Sequence, residues 1–254
     1  MKIAKKIVCA FSLLSIATFL FAQEQTVQKK DTANRKTESS VEDEYLSEID
    51  GVVILSLAQS DEYDNKLVAM QFLEDAVDSG NINEDVMKAL NQLSGEGIST
   101  QSRTKGRLSN NYPDIRAKAC DILGKVGTEE AAHILTTVVK TDNEPWVLTS
   151  AVRALGVIGS NEDDKVTDTI AFISNRVEVL NPTSSLANEI IIAYEKLLPS
   201  TKNKKPVIDS LTKIASDYRF VRPVRTKALE LLKANSGASS SDSKKSNSDS
   251  ESKK

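Results

Sequence analysis

Side chains that commonly perform catalysis or bind metal ions are scarce in this chain of 254 residues. The sequence contains one histidine, two cysteines and one tryptophan, and only 5% of its residues are aromatic. A zinc site usually needs about three or four nitrogen or sulfur ligands. Cys9 lies in the N-terminal segment that we expect to be cleaved, and the remaining His133 and Cys120 are too few, which nearly excludes such a site. The sequence also lacks a phosphate-binding glycine loop and a Cys-x-x-Cys pair. We therefore predict no catalytic residues, no cofactor and no metal site.

An excess of basic residues is also absent. The 33 Lys and Arg residues face 36 Asp and Glu residues, which gives a formal net charge of −3. A general nucleic-acid-binding protein needs a dominant basic surface to neutralise phosphates. The charge balance therefore disfavours nucleic acid as the partner.

The first 22 residues have the pattern of a secretory signal. Lys2, Lys5 and Lys6 form a basic start, residues 7–21 are mostly apolar, and Ala22 offers a small residue for cleavage. The apolar run is shorter than the roughly 20 residues that a membrane span needs, although a retained signal anchor is the alternative. We expect an exported protein, periplasmic or secreted, cleaved near Ala22 and without a transmembrane segment thereafter.

The central part of the chain contains an internal repeat. Residues 113–127 read PDIRAKACDILGKVG, and residues 145–159 read PWVLTSAVRALGVIG at an offset of 32. A third, weaker copy without the glycines begins near Val224. Self-similarity at this period is typical of stacked helical repeats, whose terminal copies are atypical.

Each copy has apolar residues at helical spacing. In two of the copies, another helical segment and a polar connector come before it in the chain, so the repeated unit is a pair of helices. The opening prolines suit a first helical turn, and the closing glycines suit the residue after a helix end. We predict helices at 128–140, 145–158, 204–217 and 222–234. The expected fold is all-α, an α-solenoid of about five stacked antiparallel helix pairs over residues 44–234. Residues 23–43 and 235–254 are polar, and we expect a disordered lead-in and tail there.

The repeated residues resemble those of the HEAT-repeat family, in particular its short bacterial HEAT-like form. The resemblance is carried by Pro113, Ile115, Arg116, Ala119, Leu123, Gly124 and Gly127, by Pro145, Val147, Ala151, Leu155, Gly156 and Gly159, and by Val224, Arg225, Ala228 and Leu232. It implies that Arg116 and Arg225 bond acids near the turns, for which Asp142 and Asp217 are the candidates. The family pattern expects arginine where this sequence has Leu148.

Polar residues of the second helix in each pair are the predicted contact surface, since the resemblance implies that these helices line the concave side. They are Lys118, Asp121, Lys125, Ser150, Arg153, Lys227 and Glu230. Trp146 belongs to the same candidate set as an aromatic anchor, although packing against a neighbouring turn is the favoured interpretation. The polar loop 98–112 forms a second candidate, because Arg103, Lys105 and Arg107 occur there without an intervening acid.

The remaining reactive residues have structural interpretations. Cys120 aligns with Val152 and Leu229 in the other copies, which predicts a buried apolar position. His133 lies beside the apolar stripe of its helix and is expected near the surface. Residues 162–164 are acidic, lie at the start of a further helix predicted at 163–179, and are expected to cap it.

The leading functional hypothesis is a non-enzymatic helical-repeat scaffold that binds another protein or a peptide in the cell envelope. One alternative is a HEAT-like enzyme of the lyase type, since some proteins resembling this one are lyases that attach or detach bilin chromophores. Another alternative is electrostatic association with an envelope or cell-wall surface through the basic loop and the lysine-containing tail.

Overall fold

A computed structural model describes residues 41–180 and 182–245. The chain divides into two compact units, one ending at Ile49 and one beginning at Asp50, and the architecture below is that of the second. The described residues form ten α-helices and one β-hairpin: α1 Val41–Gln59, α2 Tyr63–Ser79, α3 Glu84–Ser94, β1 Arg103–Thr104, β2 Arg107–Leu108, α4 Pro113–Val126, α5 Glu129–Thr141, α6 Pro145–Ile158, α7 Lys165–Leu180, α8 Ser184–Leu197, α9 Lys205–Ser216 and α10 Arg222–Lys245.

The helices form two packed rows. In row A, helices α2, α4, α6, α8 and α10 follow one another, and each contacts the next. Row B consists of α3, α5, α7 and α9, which also pack successively. Each row B helix packs against the row A helix that follows it in sequence. The rows therefore contain the four helix pairs α3–α4, α5–α6, α7–α8 and α9–α10, preceded in the chain by α1 and α2, and this arrangement confirms the predicted α-solenoid.

The predicted apolar stripes form the core between the rows. Leu123 and Leu155 are fully buried, and they belong to one continuous cluster that extends from Ile54 to Ala228. The helical glycines permit close packing of neighbouring row A helices. A Cβ atom on Gly124 would lie 2.9 Å from the Cβ of Ala154, so no larger residue fits there without a shift.

The ends of the repeat helices follow the sequence pattern. Pro113 and Pro145 are the first residues of α4 and α6, where their missing N–H groups leave no partner unsatisfied. Gly127 and Gly159 follow these helices with φ angles of 73° and 71°. These left-handed conformations confirm the predicted helix ends.

The same repeat position is buried inside the array and exposed at its C-terminal end. Cys120 in α4 and Val152 in α6 are fully buried, as predicted for this apolar position. Leu229, the equivalent residue in α10, is 45% exposed. Helix α10 is therefore covered by the row A helix before it, α8, and by α9, but its far side lacks a following repeat in the described chain.

Two predicted segment boundaries fall inside helices. Helix α1 begins at Val41 rather than at residue 44, and α10 continues to Lys245, beyond residue 235. Residues 1–40, which include the predicted signal segment, and residues 246–254 lie outside the described residues. None of the described helices combines the length and hydropathy needed to cross a bilayer.

The acidic connector before α7 links two successive pairs. The carboxylate of Asp164 accepts hydrogen bonds from the backbone N–H groups of Lys202 (2.9 Å) and Asn203 (2.7 Å). The predicted capping role is therefore wrong for Asp164, because its acceptors are used by the connector between α8 and α9. Instead, the side chain of Asn161 accepts the N–H of Thr167 in the first turn of α7.

Asp164→Asn is expected to make stability less dependent on pH. Hydrogen bonds from the Asn203 and Lys202 N–H groups hold the pKa of Asp164 below its ordinary value. The contribution of the ionised Asp164 carboxylate to the free energy of unfolding is therefore complete above its unfolded-state pKa. It is lost as the pH falls through the lower folded-state pKa. Urea denaturation from neutral pH down to about pH 3 should show the two proteins converging in acid.

Asp209→Asn is the control, because Asp209 is exposed and accepts no hydrogen bond among the described residues. It should not reproduce the pH-dependent difference. A stability difference between the parent chain and Asp164→Asn that stays constant over the whole pH range would contradict the assignment.

Candidate functional site

The reactive side chains do not form a catalytic cluster in the described part of the chain. Cys120 is fully buried, and burial raises the pKa of its thiol far above the ordinary value, which leaves it an inert core residue. His133 is exposed on α5, as predicted, and lines a cleft of about 240 Å³ with Glu129 and Lys140. No group of three or more His, Cys, Asp or Glu residues among those described is arranged to hold a metal ion.

The predicted contact residues of row A take part in ion pairs between neighbouring helices, here called the ion-pair band. Asp121 of α4 contacts Arg153 of α6 (3.3 Å), and Arg153 also lies 3.7 Å from Glu189 of α8. The further pairs are Lys118–Glu74 and Lys125–Asp78, both at 3.0 Å, and Lys227–Glu195 at 4.0 Å. Opposite charges on adjacent helices therefore neutralise much of this face.

Two exposed apolar side chains lie on α6 beside the ion-pair band. Trp146 is 61% exposed and Val157 is 58% exposed. Arg153 lies between them in sequence, and spacings of seven and four residues place all three on one side of the helix. Exposure of Trp146 shows that packing against a neighbouring turn is the wrong interpretation. The side chain is instead available at the surface.

Two other predicted contact residues differ in their accessibility. Ser150 is buried, and its hydroxyl donates to Asp121 Oδ2 at 3.3 Å. This hydrogen bond helps to hold the carboxylate that pairs with Arg153 in the ion-pair band. Because it is buried, Ser150 is not part of the exposed face. Glu230 is exposed on α10, and no cation pairs with it in the described part of the chain.

The basic loop contains a β-hairpin that was predicted only as a polar loop. Strand β1 pairs with β2 in antiparallel register, with Arg103 opposite Leu108 and Thr104 opposite Arg107. Lys105 and Gly106 form the two-residue turn with φ angles of 52° and 80°, as a type I′ turn requires. All three predicted basic residues are exposed on this hairpin.

A buried polar network, here called the hairpin clamp, fixes the base of this hairpin. The side-chain amide of Asn110 donates to Glu96 Oε1 (2.6 Å) and to the Thr100 carbonyl (2.7 Å). Its carbonyl oxygen accepts the N–H of Ser102 at 2.9 Å. Lys66 Nζ lies 3.1 Å from Glu96 Oε2 and donates to the Ala58 carbonyl. Lys66, Glu96 and Asn110 are each at least 97% buried.

Arg116 connects the hairpin clamp to the next repeat. Its Nε donates to Asp142 Oδ2 at 2.6 Å, and both side chains are buried. Its Nη1 donates to the Glu96 carbonyl at 3.0 Å and to Asn111 Oδ1 at 2.9 Å. The predicted Arg116–Asp142 pair is therefore confirmed.

The second predicted pair is wrong. Asp217 accepts hydrogen bonds from Arg219 Nε at 3.0 and 2.9 Å and lies 2.7 Å from Arg219 Nη2. By contrast, the Nε of Arg225 is buried without a hydrogen-bond acceptor in the described chain. Arg219 lies only two residues from Asp217 and binds its carboxylate in place of Arg225, the arginine at the repeat position. Leu148 interrupts the arginine pattern in α6, and its side chain is buried.

Sequence reasoning missed Val157 and the Asn110 amide. A usable signal existed for Val157, because it is an apolar residue outside the predicted stripe of α6. No local signal identifies Asn110, since its partner Glu96 is 14 residues away across an irregular loop.

Comparison with known proteins agrees with the helical-repeat architecture. Residues 102–169 match the family model described as HEAT repeats. No curated protein matches the chain. The chain is also similar to a solved structure, the complex of CpcE and CpcF of phycocyanin lyase from Nostoc sp. PCC7120, with 14% identity and a TM-score of 0.49. The similarity covers 70% of this chain and 62% of that chain, which is less than two thirds of the latter.

The prediction that the chain is not an enzyme is corrected by this comparison. The solved structure to which the chain is similar is described as a complex of phycocyanin lyase, so the prediction is not retained. At 14% identity, the similarity concerns the fold and assigns no substrate or reaction to this chain. The described chain folds as a HEAT-like α-solenoid, and residues 102–169 match HEAT repeats.

Proposed function

We propose that this chain is an exported helical-repeat scaffold that binds another protein, or a peptide segment, of the cell envelope. The contact surface is the exposed face of row A, centred on Trp146, Arg153 and Val157. Export is inferred from the basic and apolar pattern of residues 1–22. Detection of a mature N-terminus at Gln23 in an envelope or culture fraction would support that part of the proposal.

The exposed Trp146 is the observation that carries the proposal. Tryptophan is enriched among residues that dominate binding energy, because its large ring removes much apolar surface from water when a partner covers it. Trp146 is left 61% exposed although most residues of α6 are buried. Val157 provides a second apolar contact on the same side of the helix.

The ion-pair band favours association of a partner with this face. A partner that covers an unpaired charge must remove its water, which is costly. Arg153 already faces carboxylates of Asp121 and Glu189, so this cost is reduced at the centre of the face. The flanking apolar groups then provide the contact area, and the paired charges provide orientation.

Photo-crosslinking with the full-length chain in its native cells tests the proposal. A photoactivatable aromatic residue replaces Trp146, Val157 or, as the control, Phe172, which is an exposed aromatic residue on α7. We expect the same protein to be crosslinked from positions 146 and 157 and not from position 172.

Trp146→Ala should then weaken binding of the purified partner by about thirtyfold, which corresponds to the roughly 2 kcal/mol of a hot-spot residue. Phe172→Ala should leave the affinity unchanged. Crosslinking that is equal from all three positions, or affinity that is insensitive to Trp146→Ala, would contradict the proposed surface.

A further inference from the structure

We propose that the basic hairpin, residues 101–109, is a separate binding element for an extended acidic polypeptide segment. This surface differs from the row A face proposed above, and its test does not depend on that proposal. The inference rests on the charges of the hairpin, the rigidity of its base and the backbone groups at its edges.

The three cations of the hairpin lack carboxylate partners among the residues that the structure describes. Arg103 donates to the Gln101 side chain at 3.1 Å, and neither Lys105 nor Arg107 contacts a carboxylate of the described chain. Residues 97–113 contain no Asp or Glu. By contrast, the exposed cations Lys125 and Arg153 face carboxylates on neighbouring helices. The hairpin therefore concentrates positive charge within five residues of a chain whose net charge is −3.

The hairpin is held in one position by buried contacts. The Asn110 amide connects Ser102, at the start of the hairpin, to the buried Glu96. Gly97 packs so closely below it that a Cβ atom would lie 2.4 Å from the Asn110 carbonyl oxygen. Because this order is already present in the free protein, a ligand loses less conformational entropy in the loop when it binds.

The hairpin edges present backbone groups that suit a peptide. Ser109 N–H donates to the Ser102 carbonyl at 2.9 Å, which makes Ser102 and Ser109 a hydrogen-bonded pair. Such pairs alternate along antiparallel strands, so the intervening Arg103 and Leu108 direct their N–H and C=O groups outward. An extended peptide can pair with either edge, and its acidic side chains then lie near Arg103, Lys105 and Arg107.

Other anionic partners fit less well. Membrane recognition by basic segments commonly uses about four to eight Lys or Arg residues, and the hairpin has three. Duplex-binding proteins often contact about six to ten phosphates, which three cations cannot match. A narrow cationic hairpin with open edges favours an acidic peptide over a bilayer or a nucleic acid.

Fluorescence polarisation with the full-length chain tests this inference. The probe is a labelled peptide of alternating Glu and Thr, and its Gln–Thr counterpart is the uncharged control. We expect binding of the acidic peptide that weakens as salt is raised, because exposed charges are screened. The Gln–Thr peptide should bind at least tenfold more weakly.

The triple variant Arg103→Gln, Lys105→Gln, Arg107→Gln should weaken binding of the acidic peptide by roughly tenfold, since each exposed ion pair changes affinity by about 1.4- to fivefold. The matched control is Lys140→Gln, Lys196→Gln, Lys204→Gln, which removes the same charge from exposed residues elsewhere. It should change affinity by less than twofold.

The inference is overturned by absence of binding to the acidic peptide, or by equal weakening in the two triple variants. It is also overturned if phosphatidylserine vesicles or a DNA duplex bind more tightly than the peptide in a manner that depends on the hairpin. Circular dichroism that matches the parent chain would show that both variants are folded.

Discussion

Arg116→Met is expected to lower the free energy of unfolding by about 3–5 kcal/mol, the usual effect of removing one partner of a buried ion pair. Methionine retains apolar contacts but leaves the Asp142 carboxylate buried without its cation. It also removes the hydrogen bond to the Glu96 carbonyl, which holds the base of the hairpin. Denaturation in urea, followed by helical circular dichroism, measures the loss.

Arg153→Met is the matched control for this prediction. Arg153 has two carboxylate partners, but they form part of an exposed band, where an ion pair contributes about 0–1 kcal/mol. The double variant Arg116→Met, Asp142→Leu should recover part of the lost stability because the orphaned charge is gone. Equal losses for Arg116→Met and Arg153→Met would show that burial of the first pair has no energetic consequence.

Leu155→Ala is expected to lower the free energy of unfolding by about 2–5 kcal/mol, the range for truncation of a buried leucine. Leu155 is fully buried in the middle of row A, where helices on both sides limit collapse around the resulting cavity. Chemical denaturation should show a lower midpoint with an unchanged slope.

Leu229→Ala provides the comparison, because Leu229 is 45% exposed on α10. The loss there should stay below about 1 kcal/mol, as expected for a site that is only partly removed from water. An unchanged midpoint for Leu155→Ala would mean that the predicted stripe does not form the core.

The repeat made most of the fold predictable from the sequence. Pro113 and Pro145 mark helix starts, and Gly127 and Gly159 mark helix ends, because local backbone chemistry determines both. The internal Gly124 does not mark a helix end, and its role is visible in the structure, where it permits close approach of Ala154. Such features repeat at a fixed interval, so each copy supports the interpretation of the others.

The features that distinguish one repeat from another were less predictable. The Asn110–Glu96 contact depends on a loop path that periodicity does not describe. The exposed position of Trp146 depends on the neighbouring repeat, which places no side chains over it. Arg225 occupies the repeat position that pairs in α4, but Arg219 reaches Asp217 instead. Non-local and competing contacts therefore limited prediction of the candidate site.

The exposed position of Leu229 also affects how the array loses structure. In stacked repeats, each unit is stabilised by its own contacts and by the interfaces with its immediate neighbours. Interior helices such as α6 have a row A neighbour on each side, whereas α10 has one in the described chain. Fraying from α10 therefore breaks one interface between row A helices, while opening at α6 breaks two such interfaces. Amide protons in the last helix pair should exchange with solvent sooner than those around Leu155, because the array unfolds progressively from its C-terminal pair.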